Sequence, residues 1–182
     1  MKILVAEDEE DIKTMYYETL ADRGHEVILT SDGEECVKIY RQQLQEHQEE
    51  ERLHHNEMSS SSSSSTFDVV ILDYKMPKKD GLQVAKEILH MNPEQRIIFA
   101  SAYVQDTLVE SVKELKRVLE LMQKPFSISA LVDTVENKEA YEGLKTLMTT
   151  AKNIIKDLDN PSSDQIRELF EGLRKVQKFK GF

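Results

Sequence analysis

Val69-Val70-Ile71-Leu72-Asp73-Tyr74-Lys75-Met76-Pro77-Lys78-Lys79-Asp80-Gly81 reads as a short apolar strand that ends on an acid and runs into a polar turn. Four apolar residues, three of them β-branched, are too few for a helix and suit a buried strand. Four further runs have this form: Ile3–Ala6, Val27–Leu29, Ile97–Ala100 and Leu119–Met122. Helical patterns separate them. Ile12, Met15, Tyr16 and Leu20 mark an inward face over 10–23, with Gly24 as a stop. Leu82, Ala85, Ile88 and Leu89 mark another, which Asn92-Pro93 ends. Leu108, Val112, Leu115 and Val118, then Ile128, Leu131, Val132 and Val135, mark two more. Strand and helix alternate five times, so the chain is expected to form an α/β fold with a five-stranded parallel sheet and crossover helices.

In such a sheet, residues just past the strands gather at the carboxyl edge, where these folds bind ligands. Here those residues are Glu7, Asp8, Asp73 and Lys124. Three carboxylates crowded at one edge repel one another unless a cation joins them. Mg²⁺ suits one or two carboxylates together with phosphate oxygens, and a lysine pairs with phosphate as a point charge. The pattern points to a site that holds a metal and accepts a phosphoryl group on a carboxylate.

At these residues the chain resembles the receiver domain of two-component response regulators, of the chemotaxis-receiver kind. The resemblance rests on Glu7-Asp8-Glu9, on Leu72 to Gly81, on Ser101-Ala102 and on Lys124-Pro125-Phe126, in the family's order and near its spacing. It covers about residues 1–137. It implies a doubly wound sheet of strand order 2-1-3-4-5 and Asp73 as the phosphoacceptor. It also implies Mg²⁺ held by Glu7, Asp8, Asp73 and the main-chain carbonyl of Lys75. Lys124 and Ser101 would take phosphoryl oxygens, and the Lys124–Pro125 bond would be cis. The donor would be a sensor histidine kinase or a phosphotransfer protein, and the output a phosphorylation-dependent protein–protein contact. The domain would catalyse its own phosphorylation and dephosphorylation without being an enzyme in the usual sense. Lys75 and Tyr103, two residues beyond the acceptor and the hydroxyl, would modulate hydrolysis by flanking the path of water. One departure stands out: many receivers carry an aromatic residue three before the site lysine, and this chain has Leu121.

The segment between Gly33 and Asp73 is roughly twice as long as the family uses. Between Gln42 and Glu57 only Leu44 and Leu53 are aliphatic, so an insertion at about 45–66 either projects as a solvated helix or is disordered. Ser59 to Ser65 make a flexible return. His47, His54 and His55 lie there without the cysteines or paired spacing of a metal site. Beyond 137 the pattern changes again. Tyr141, Leu144, Met148, Ala151, Ile155 and Leu158 form a short heptad seam. Asp159-Asn160-Pro161 breaks it, and Ser162 with Gln165 fits a capping box that opens another helix. Residues 138–182 are therefore expected to form a helical hairpin, either packed on its own receiver or serving as a homodimer or partner surface.

Composition narrows the function. Of the 182 residues, 39% are hydrophobic, enough for a core, and one cysteine, Cys36, excludes an internal disulfide. Residues 1–137 hold 15 Lys+Arg against 27 Asp+Glu, and residues 138–182 hold 9 against 7. That acidic excess disfavours nucleic acid. The apolar run at the N-terminus is too short for a signal peptide, and no stretch approaches the roughly 20 apolar residues of a membrane span. A cytoplasmic location with no membrane contact is the expectation. An Asp-nucleophile phosphatase would want a second Asp where Lys75 stands, and no phosphate-binding G-x-x-x-x-G-K-[ST] loop occurs. The remaining alternative is a phosphorylation-independent dimeric scaffold using the C-terminal helices.

Overall fold

The computed structural model describes residues 1–54, 66–115, 119–137 and 141–143, with 162, 164, 165, 168, 171 and 172. Among the described residues, five strands alternate with five helices: β1 Lys2–Ala6, α1 Glu10–Ala21, β2 Glu26–Thr30, α2 Gly33–His54, β3 Val69–Asp73, α3 Gly81–Met91, β4 Ile97–Ser101, α4 Val104–Leu115, β5 Glu120–Gln123 and α5 Ile128–Glu136. The sheet is five-stranded with the order β2-β1-β3-β4-β5. This is the 2-1-3-4-5 doubly wound arrangement. The chain divides into two compact units, Met1–Ile97 and Ile98–Phe182.

In the first unit, β1 pairs in parallel with β2 and with β3. Ile3 to Ala6 and Val69 to Leu72 have no exposed surface. Strands covered on both faces read as unbroken apolar runs, which is why these two were plain in the sequence. β2, with its partner on one side, is only half-buried along most of its length. α1 ends where Gly24 takes φ 79, and its N–H donates to the Ala21 carbonyl at 2.8 Å. A left-handed residue here is cheap only for glycine. α3 opens on a capping box. Asp80 accepts from the Gln83 N–H at 2.8 Å, and the Gln83 side chain accepts from the Asp80 N–H at 3.2 Å. Two otherwise orphaned amides are thereby satisfied.

α2 runs unbroken to His54. Cys36, Val37 and Tyr40 are buried, but from Arg41 onward no described side chain is. The helical alternative for the first part of the insertion is what the chain adopts. The serine run lies outside the described residues. The chain returns through Phe67, which stacks on Tyr40 with ring centroids 5.7 Å apart. Tyr40 donates to the Gln95 side-chain oxygen at 2.8 Å, and the Gln95 amide donates to the Phe67 carbonyl at 3.0 Å. This buried network fixes both ends of the insertion.

In the second unit, β4 and β5 pair in parallel, with Ser101 opposite Gln123. Ser127 caps α5 by accepting the Ala130 N–H. Leu131 and Val135 are fully buried, whereas Ile128 is 58% exposed and leaves the face assigned to it. It is the first residue of the helix, one turn ahead of the turns that pack. Beyond Tyr141 the heptad seam lies outside the described residues, as does most of the hairpin. The capping box at its second helix is present: the Ser162 N–H donates to Gln165 Oε1 at 2.8 Å, and the Gln165 N–H donates to Ser162 Oγ at 3.3 Å.

Candidate metal and phosphoacceptor site

The β1–β3 register sets Ala6 opposite Leu72, so the residues that follow, Glu7 and Asp73, emerge side by side. One carboxylate oxygen from each of Glu7, Asp8 and Asp73 lies within 4.8 Å of the others. Glu7 is fully buried, Asp73 is 9% exposed and Asp8 faces solvent. The Glu7 N–H donates to the Thr30 carbonyl at 3.1 Å, which ties the acidic turn to β2. The field of this group reaches α1. Burial, then the negative charges of Glu7 and Asp73, hold the Tyr16 phenol well above its ordinary 10.0. Three hard oxygen donors at this spacing, one of them open to water, fit a small divalent cation that keeps several water ligands. Among the described residues this is the acidic group that meets the geometry of a metal site.

The turn between β3 and α3 is held from several sides. The Gly81 N–H donates to the Tyr74 carbonyl at 3.0 Å. A Cβ on Gly81 would lie 2.4 Å from the Asp73 carbonyl oxygen, and one on Gly33 would lie 2.3 Å from the Lys79 carbonyl oxygen. Both glycines let backbones meet where a side chain has no room. Lys78 takes φ 65 and donates from Nζ to Asp32 Oδ2 at 2.5 Å. That bond holds the Asp32 carboxyl below its usual range and the Lys78 ammonium above its own. The β2–α2 turn thus braces the turn that follows Asp73.

Sequence reasoning missed these supports. It also missed Lys13, which sits in the buried face of α1 with 6% exposure. Its ammonium donates to Glu10 Oε1 and to Ser31 Oγ, each at 2.6 Å. A lysine enters a buried face when its charge is paired and bonded. The partner Ser31 is 18 residues away, so no local pattern announces it. Cys36 is fully buried, and burial first raises its thiol to about 12, which removes it from nucleophilic chemistry.

In the second unit, Ser101 is 3% exposed at the end of β4. Its carbonyl accepts the Lys124 N–H at 2.8 Å, so the switch candidates Ser101 and Lys124 are joined through the backbone. The Lys124–Pro125 peptide is cis. Ser101 Oγ accepts the Tyr103 N–H at 3.0 Å and lies 2.9 Å from Thr107 Oγ1. Thr107, which is fully buried, escaped the sequence reading because hydroxyls on a helical face resemble solvated positions. The side chains of Lys75 and Tyr103 are exposed, Tyr103 at 60%. Leu121 is 2% exposed and belongs to the core.

The comparisons with known proteins agree with this geometry. Residues 50–136 match the Response regulator receiver domain family. The chain is 32% identical over 136 residues to the Transcriptional regulatory protein PdtaR of Mycobacterium tuberculosis, covering 74% of this chain and 55% of that protein. It is 33% identical over 135 residues to the DNA-binding transcriptional regulator NtrC of Azospirillum brasilense, covering 74% of this chain and 23% of that one. The chain thus spans at most about half the length of these curated relatives. A response regulator receiver domain protein from Clostridium thermocellum superposes with a TM-score of 0.56 and 27% identity, over 81% of this chain and 98% of that one. No helix among the described residues is long and apolar enough to cross a membrane. By its fold, its acidic group and these likenesses, the chain belongs to the response regulator receiver domain family.

Proposed function

We propose that this protein accepts a phosphoryl group on Asp73 from a histidine kinase or phosphotransfer protein and passes its state on through a protein–protein contact. The single observation that carries the reading is the convergence of Glu7, Asp8 and Asp73 oxygens within 4.8 Å. Glu7 and Asp8, with Asp73 and the Lys75 main-chain carbonyl, would hold Mg²⁺. When bound, the ion supplies positive charge that offsets the crowded carboxylates and the phosphoryl oxygens.

An Asp73 oxygen attacks phosphorus in line. A new O–P bond forms, the bond to the donor breaks, and the donor group leaves with its electron pair. The acceptor's position is set by the bonded Asp73–Gly81 turn, so little reorganisation precedes attack. Ser101 donates its hydroxyl proton to one phosphoryl oxygen, and the Lys124 ammonium pairs with another. Lys75 and Tyr103, both long and exposed, shield the acyl phosphate from water and slow self-dephosphorylation. Residues 1–137 form the receiver. Residues 138–182 form a helical hairpin that supplies a homodimer or partner surface, and the protein works in the cytoplasm.

The test is labelling of the full chain with acetyl phosphate, with and without Mg²⁺. One phosphoryl group is expected, absent in Asp73→Asn and much reduced in Asp8→Ala. Undiminished labelling of Asp73→Asn rejects the reading.

A further inference from the structure

Ser101 Oγ accepts two hydrogen bonds. The Tyr103 N–H donates to it at 3.0 Å, and the Thr107 hydroxyl donates to it at 2.9 Å. Thr107 is fully buried and Ser101 is 3% exposed. A serine hydroxyl has one proton and two lone pairs. With both lone pairs taken, the one direction left around the oxygen is that of its own proton. Among the described residues, neither bond at Ser101 Oγ uses that proton.

A helical threonine often turns its hydroxyl back onto the carbonyl four residues earlier. Thr107 does this too, reaching the Tyr103 carbonyl at 2.9 Å. That carbonyl already receives the Thr107 N–H at 3.0 Å, so it does not depend on the hydroxyl. The Thr107 proton is thus shared by two acceptors, and the Tyr103 carbonyl is the one with a donor to spare. Replacing the hydroxyl by a methyl group would leave the Tyr103 carbonyl with the Thr107 N–H, and the Tyr103 N–H with Ser101 Oγ. The bond to Ser101 can therefore be removed without orphaning a backbone group.

We propose that Thr107 is a positioning residue: by donating to Ser101 Oγ it keeps the Ser101 proton aimed out of the network, ready for an anion. The idea rests on the reading of Ser101 as a donor to the phosphoryl group. Two effects favour binding. The Ser101 hydroxyl has no second rotamer to give up, and a donor already in place needs no reorganisation when charge arrives. A hydroxyl that accepts a bond also donates a stronger one, because chained hydrogen bonds polarise one another. The Thr107 bond is present before and after binding, so only its strengthening counts, and the effect is modest.

The experiment uses the full chain and beryllofluoride with saturating Mg²⁺ as the phosphoryl probe. Affinity is read by titration of the fluorine resonance of the bound probe. Thr107→Val should bind the probe about two- to fivefold more weakly, and Thr107→Ser should restore the original affinity. Thr107→Ala, smaller and without the hydroxyl, supplies the same reading if the valine variant does not fold. Ser101→Ala should weaken binding more than Thr107→Val does. Adding Thr107→Val to Ser101→Ala should change nothing more, because Thr107 acts only through Ser101.

If Ser101→Ala weakens binding while loss of the Thr107 hydroxyl leaves it equal or tighter, the positioning role is wrong and the role of Ser101 stands. A weakening by Thr107→Val that persists in the Ser101→Ala background also overturns it, since the effect then bypasses Ser101. So does a Thr107→Ser variant that binds as weakly as Thr107→Val. An unaltered affinity in Ser101→Ala removes the reading of Ser101, and the positioning role with it.

Discussion

In residues 1–97 the working side chains are three carboxylates within 4.8 Å of one another, whereas in residues 98–182 they are the Lys124 ammonium and the Ser101 hydroxyl, the latter already bonded to its neighbours. The first group is frustrated by its own charge, and the second can satisfy itself. The scaffolds differ in the same sense. Gly33 and Gly81 bring backbone into contact around the turn that follows Asp73, so it has little room to move. The turn after Ser101 is held by exchangeable hydroxyl bonds. A fixed group of like charges is suited to bind, and a set of interchangeable hydrogen bonds is suited to respond.

The largest effect expected from this contrast is at Gly81. A Cβ there meets the Asp73 carbonyl oxygen at 2.4 Å, against backbone on both sides. Gly81→Ala should cost about 3 kcal/mol through overpacking, read from the midpoint of urea unfolding. A midpoint unchanged from the parent chain would show that the turn yields and would erase the contrast. On the other side, Ser111 is fully buried and donates to the Leu108 carbonyl at 2.9 Å. Ser111→Ala removes a donor and leaves no buried proton behind, so it should cost no more than about 1 kcal/mol in the same assay. A loss equal to that of Gly81→Ala would make the hydroxyl side as rigid as the acidic one.

A smaller effect concerns the brace between turns. Lys78 holds the Asp32 carboxyl below 3.8, chiefly through their side-chain bond. A depressed carboxylate contributes above its unfolded value and loses that contribution as pH falls through the lowered folded value. The Asp32–Lys78 tie should therefore persist from neutral pH to below about 3.8. A carboxyl-carbon resonance of Asp32 titrating at its ordinary value would break the assignment. Lys78 is 56% exposed, so solvent screens the pair although Asp32 itself is only 13% exposed, and Asp32→Asn should move the unfolding midpoint little. The smallest effect belongs to the insertion. Deleting residues 45–64 should leave folding and Asp73 labelling intact, because loop-closure entropy varies slowly with length. Loss of cooperative unfolding in that deletion would show that the segment packs after all.

What was legible follows from burial. β1 and β3 are covered on both faces, so their apolar runs announced strands and placed Glu7, Asp8 and Asp73 at their ends. The overlong segment after Gly33 was visible as a lack of aliphatic residues, although composition left its helical state to His54 open. Lys13, Thr107 and Ser111 were not legible. Each is a polar residue on a buried helical face, and for Lys13 and Thr107 the enabling partner, Ser31 or Ser101, lies outside the helix. Ile128 shows the converse error, since an apolar residue in register at a helix start need not reach the core. The brace through Gly33 and Gly81 depends on the approach of separate backbone segments, which periodicity does not encode.

The claim beneath all of this is that Asp73 carries the phosphoryl group, and it has a direct chemical readout. An acyl phosphate on an aspartate is reduced by borohydride to homoserine, whereas a phosphate ester on the serines of residues 59–65 is not. The full chain is treated with acetyl phosphate and Mg²⁺, reduced, and sequenced as peptides by mass spectrometry. The account predicts homoserine at position 73 in the parent chain and none in the protein treated without Mg²⁺. Homoserine at another aspartate, or a borohydride-resistant phosphate in place of it, would contradict the account.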